Sequence, residues 1–125
     1  MGLDTTHNCW HGPYSAFNWW RDEVARIADV QFTDEVFDAM PDGALYGRWP
    51  ETPDEPLWVL LAHSDCEGAI YPAQALPLAA RLQELVPALE QAEAEASHRG
   101  LVARTLRFIN GLRKAAAAGE AVEFH

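Results

Sequence analysis

The sequence predicts an α+β fold, with about three short strands forming a small sheet packed against three main helices. Three observations predict it. Apolar residues recur at helical spacing in three separate stretches. The run Leu57-Trp58-Val59-Leu60-Leu61-Ala62 is apolar throughout, the pattern of a strand buried on both faces. Ala121-Val122-Glu123-Phe124-His125 alternates with the period of a short strand, and residues 2–12, polar for a buried strand, would place Leu3, Thr5, His7, Cys9 and His11 on one face if extended. At 125 residues the chain is expected to form a single domain over residues 1–125, with a modest core.

Each element has a local reason. Gly12-Pro13 marks a turn, and Ser15 is a candidate N-cap for a first helix over 16–30. Phe17, Trp20, Val24, Ile27 and Ala28 form its apolar stripe, with Trp19 and Arg26 off it. Thr33 is placed to cap a short helix over 34–40, and Pro41-Asp42-Gly43 ends it. Residues 43–56 read as a long irregular connection whose Tyr46 and Trp49 pack it down. The second main helix is expected to begin near Pro77, since proline suits only a first turn, and to end or kink at Pro87. Leu78, Leu82, Leu85, Val86 and Leu89 make its stripe. Ser97 is a candidate cap for the third, striped by Leu101, Thr105, Phe108, Ile109, Leu112 and Ala116. Gly119 supplies a left-handed C-terminal cap.

Charge restricts the partners. Acidic residues number 19 and basic residues 9, a formal net charge of −10. Neutralising phosphates needs clustered Lys and Arg, so nucleic acid and anionic membrane surfaces are excluded as expected partners. A basic protein surface is the complementary partner class. No apolar run approaches the ~20 residues needed to span a bilayer. Met1-Gly2-Leu3-Asp4 lacks both the basic region and the apolar run of a secretory signal. The expectation is therefore a cytoplasmic protein with Cys9 and Cys66 reduced.

Two stretches carry a resemblance. One reads Gly2-Leu3-Asp4-x-x-His7-x-Cys9-Trp10-His11-Gly12-Pro13-Tyr14-Ser15-x-Phe17. The other is His63-Ser64-Asp65-Cys66-x-Gly68, with Leu78-Ala79-x-Arg81-Leu82 and Phe108-Ile109-x-Gly111-Leu112-Arg113 downstream. Together they resemble a set of small uncharacterised proteins of bacteria and their phages. The resemblance covers most of the chain. It implies a bacterial or phage intracellular protein and brings no activity with it.

Candidate chemistry concentrates in the same two stretches. His7, Cys9, His11, His63 and Cys66 offer N and S ligands, and Zn²⁺ takes four of these at ~2.0–2.3 Å. Asp65 would then be an oxygen ligand or orient an imidazole. The spacing matches neither a C-x₂-C pair nor a His-Glu-x-x-His helix. Cys66 beside His63, His7 or His11 would also suit thiol chemistry, which needs a thiolate next to a base. A calcium loop is rejected. With Gly68 at loop position six, His63 and Gln74 occupy positions that need carboxylates. Binding needs less machinery. His63, Asp65, Cys66 and Glu67 would form a polar pocket where residues 7–11 meet residues 63–67. Trp10 and Trp19 would lead an aromatic contact surface beside it. The expected function is a protein- or ligand-binding module, and the alternative is a zinc-dependent or cysteine-thiol enzyme using the same pocket.

Overall fold

In the computed structural model, which describes residues 2–95 and 100–125, the helical stripes become three long helices. Strand β1 (Gly2–Asp4) pairs antiparallel with β2 (His11–Pro13), and Leu3 lies opposite Gly12. Helix α1 (Tyr14–Ala28) follows directly and buries Phe17, Trp20 and Val24. Its N-cap is Pro13 with extended backbone, so the helix begins ahead of Ser15 and that residue caps nothing. Asp29 ends α1 in the left-handed conformation. Thr33 caps α2 (Asp34–Ala39), its hydroxyl accepting from the Val36 amide at 3.2 Å.

The run Leu57–Ala62 is not a strand. It forms α3 (Trp58–Leu61), a single turn that buries Val59 and Leu60. Its backbone bonds are local: the Leu61 amide donates to Leu57 O at 2.8 Å and the Ala62 amide to Trp58 O at 3.0 Å. A short apolar run buried on all sides reads the same as helix or strand. The turn needs no neighbouring strand to satisfy its amides, and that decides the outcome here.

Residues 2–12 are likewise not one strand. A 3₁₀ turn at Thr6–Asn8 interrupts them, with His7 and Asn8 both at positive φ. The expected common face of Leu3, Thr5, His7, Cys9 and His11 is therefore broken. Leu3, Thr5 and Cys9 turn inward, His7 is half-buried and His11 is exposed.

Helix α4 (Pro72–Glu95) starts earlier than expected and runs through both Pro77 and Pro87. Pro72 takes the first helical position, where no intrahelical partner is lost. Each interior proline removes one ladder bond, at about 3 kcal/mol. Leu78, Leu82, Leu85, Val86 and Leu89 are buried on either side of these breaks. Each such side chain contributes about 1.5–3 kcal/mol, which outweighs the loss. Helix α5 (Leu101–Ala118) packs along α4 and ends on Gly119 at φ +67°. The cap expected at Ser97 lies outside the described residues.

Strand β3 (Ala69–Ile70) pairs antiparallel with β4 (Val122–Glu123). A bridge between Thr5 and Phe124 links the two strand pairs. The α+β class is as expected, with two short antiparallel pairs in place of one small sheet. One hydrophobic cluster unites the parts, drawing on β1, α1, α3, α4, α5 and β4. Among the described residues no helix is long and apolar enough to cross a membrane.

Candidate functional site

The His63–Gly68 turn is held from three directions. From α1, Arg21 Nη1 donates to Leu60 O at 3.1 Å and to His63 O at 2.5 Å. Its Nη2 donates to Asn18 Oδ1, and Asn18 Nδ2 donates to Asp65 Oδ2 at 3.0 Å. Asn18 and Arg21 lie three residues apart on α1, so one helical face grips the turn. From the loop, the Ser64 amide donates to Leu45 O at 2.7 Å. From the C-terminal strand, the Phe124 amide donates to Gly68 O at 2.9 Å. Inside the turn, Ser64 Oγ accepts from the amides of Cys66 and Glu67 at 3.2 and 3.3 Å. Ser64 is thus a turn-forming hydroxyl.

His63 is buried, 4.1 Å from the Phe124 ring centroid. Its Nδ1 lies 2.8 Å from Ser64 O and its Nε2 lies 2.9 Å from Ala69 O. Burial pulls its pKa below the ordinary histidine value, the two carbonyls oppose that, and the Arg21 cation lowers it further. Both ring nitrogens face backbone carbonyls, so the imidazole is not turned toward Cys66. The Cys66 thiol is exposed and lies 3.5 Å from Ser64 Oγ. The imidazole–thiol pair that a cysteine enzyme needs is not formed there.

The other expected ligands are dispersed. His7 Nε2 lies 3.0 Å from Glu120 Oε1, and its Nδ1 lies 2.8 Å from Thr6 Oγ1. His11 is exposed, with Nδ1 3.4 Å from Asp4 Oδ1. Cys9 is wholly buried, and its thiol donates to Phe108 O at 3.8 Å. Burial pushes that thiol up to about 12, against the opposing effects of Thr5 and the Arg107 cation. Burial thus disfavours the thiolate that ligation or nucleophilic attack requires. Among the described residues, no group of three or more His, Cys, Asp or Glu is placed to hold a metal ion. The five expected zinc ligands, all among the described residues, are not gathered into one cluster: His7 meets Glu120, Cys9 lies against α5 and His11 lies beside Asp4, while His63 and Cys66 share one turn.

The aromatic surface is also rearranged. Trp10 is buried, 5.2 Å from Phe17 and 5.4 Å from Trp20 between ring centroids. It is a core residue, not a contact residue. Trp19 is partly buried against that core, and the Arg104 guanidinium lies 5.7 Å from both the Trp10 and Trp19 rings. Glu67 is exposed at the end of the turn.

A different surface is open. A cleft of about 420 Å³ lies between α2 and the Pro41–Leu45 segment. Phe32, Phe37, Met40, Pro41, Ala44, Leu45 and Ala62 line it, with Asp38 and Asp42. Phe32 is braced edge-on against Trp58, with centroids 4.8 Å apart. Its far end adjoins the turn through Ala62 and through the bond from Ser64 to Leu45. The sequence marks this surface locally: five carboxylates (Asp29, Asp34, Glu35, Asp38, Asp42) and no Lys or Arg stand between Arg26 and Arg48, interleaved with Phe32, Val36 and Phe37. No protein-family model, curated protein or solved structure matches this chain.

Proposed function

We propose that this chain is a protein-binding module, and that it binds through the cleft between α2 and the Pro41–Leu45 segment. The exposure of large apolar side chains carries this reading. Helix α2 buries none of its own residues. Phe37 is 69% exposed, Phe32 53% and Leu45 49%, and all three line one cleft. Scattered apolar residues on a surface are ordinary, but a contiguous group marks an interaction site. Burying each against a partner contributes about 1.5–3 kcal/mol before the costs of association. The His63 turn supports the surface from behind: its polar groups are bonded within the fold, and it fixes Leu45 through Ser64.

The test is site-specific crosslinking in the source cell. A photoreactive phenylalanine analogue at position 37 is expected to yield a discrete protein adduct that disappears when Leu45→Asp is added. The same analogue at exposed position 113 is the control. Absence of an adduct at 37, or the same adducts at both positions, overturns the proposal.

A further inference from the structure

We infer that the occupant of this cleft is a cationic amphipathic segment of a partner protein, its apolar side chains entering the cleft and its Lys or Arg meeting the surrounding carboxylates. The inference rests on the protein-binding reading and adds the partner's chemistry.

The cleft itself sets the apolar half. Its volume of about 420 Å³ takes several side-chain groups, and its walls are mainly aromatic and aliphatic. A short open groove between a helix and a turn suits a helix laid in with anchors three or four residues apart. The charges set the other half. Asp38 and Asp42 line the cleft, and Asp29, Asp34 and Glu35 lie close by in sequence. All five are exposed, and among the described residues none is in an ion pair. Where an Arg is at hand a carboxylate does pair, as in the Arg81–Glu55 contact at 3.0 Å. The lining holds two carboxylates and no Lys or Arg, and with Arg48 packed on Gly43 just outside it the rim is net acidic; such a rim attracts cations and repels anions, so it selects the partner and speeds encounter.

The same field disfavours the competing occupants. Nucleic acid and anionic lipid bring like charge to the rim. A second copy of this chain is poorly matched. Its basic residues on α5 flank a single exposed large apolar residue, Leu106, and Arg107 is already bonded to Asn8.

Three labelled synthetic peptides test the inference by fluorescence anisotropy with the full chain. The first carries Leu at helical spacing with Lys between. The second has the same composition in scrambled order. The third replaces Lys by Glu. The first is expected to bind at least about tenfold more tightly than either other at about 0.05 M salt and to weaken at about 0.5 M. Asp38→Asn with Asp42→Asn is expected to reduce that binding several-fold and flatten its salt dependence. Phe37→Ala is expected to abolish it.

Equal binding of the scrambled peptide means bulk charge attraction and overturns the inference. So does equal binding of the Glu peptide, or binding that neither variant changes. Should Phe37→Ala destabilise the fold, the Asp38/Asp42 double variant decides, because those carboxylates are exposed and unpaired. The crosslinking experiment separates the two levels. An adduct at position 37 to a neutral or acidic segment, or to a second copy of this chain, sinks the cationic inference and leaves a protein interface standing. No specific adduct at position 37 sinks both.

Discussion

The His63 imidazole lies between two carbonyl oxygens at 2.8 and 2.9 Å, buried under Phe124. A neutral ring has one N–H, so only one of these contacts is a hydrogen bond until the ring takes up a second proton. Burial nevertheless holds the folded pKa below its ordinary value. The sign follows from linkage. The folded chain binds fewer protons at this site than the unfolded chain, so stability increases with pH. The contribution is fully present above the unfolded value of about 6.5 and is lost as pH falls through the folded value. The urea midpoint of the wild-type chain is expected to drop more steeply between about pH 7 and pH 5 than that of His63→Gln. Parallel slopes for the two proteins would show that the ring titrates alike in both states. Gly47 belongs to the same arrangement. It has φ +84°, and a Cβ there would stand 1.7 Å from Ala69 O and 3.3 Å from His63 Nε2. Only glycine lets this loop lie against the carbonyl that His63 meets.

At the scale of elements, α5 is shaped by what crosses it. Gly111 sits within α5, where alanine is the better helix former by about 1 kcal/mol. A Cβ at that position would lie 2.3 Å from Cys9 Sγ and 2.9 Å from His7 O. The second of these is backbone and cannot swing away. Overpacking of this kind costs about 1–3 kcal/mol, which exceeds the gain in helix propensity. Gly111→Ala is therefore expected to lower the denaturation midpoint, and a midpoint that rises would refute the contact. The same crossing explains the burial of Cys9. The 3₁₀ turn carries the chain over α5, and Arg107 fastens it by donating to Asn8 O at 3.0 Å.

Across the whole molecule, the core and the cleft should respond very unequally to the same kind of change. Phe124 is 5% exposed and joins several parts at once: Phe17 in α1 at 6.0 Å, His63 at 4.1 Å, and Thr5 through the strand bridge. Phe124→Ala is expected to cost about 3–5 kcal/mol by denaturant unfolding. Phe37→Ala, at the open cleft, is expected to change stability by less than about 0.5 kcal/mol. A large loss at Phe37 would mean that α2 is part of the fold's support and not a presented surface. Separation of this kind is what a binding surface needs, since its residues can then be chosen for a partner rather than for folding.

The sequence by itself determined the three long helices and their buried faces. The stripe through Phe17, Trp20 and Val24, that through Phe108, Ile109 and Leu112, the Thr33 cap and the Gly119 stop all depend on spacing and local bonding, which a chain carries with it. Charge is equally local, and the acidic stretch between Arg26 and Arg48 is plain in the residues. Tertiary structure decided the rest. Whether Leu57–Ala62 pairs as a strand depends on a neighbour, and among the described residues none pairs with it. Whether His7, Cys9 and His11 meet His63 and Cys66 depends on how the chain reverses at Thr6–Asn8, where two non-glycine residues take positive φ. Pro77 and Pro87 stay helical because the leucines around them are buried. The open cleft is likewise a tertiary fact. Phe32 and Phe37 have the same apolarity as the buried phenylalanines, and only the packing of α1, α3 and the Pro41–Leu45 segment leaves them at the surface.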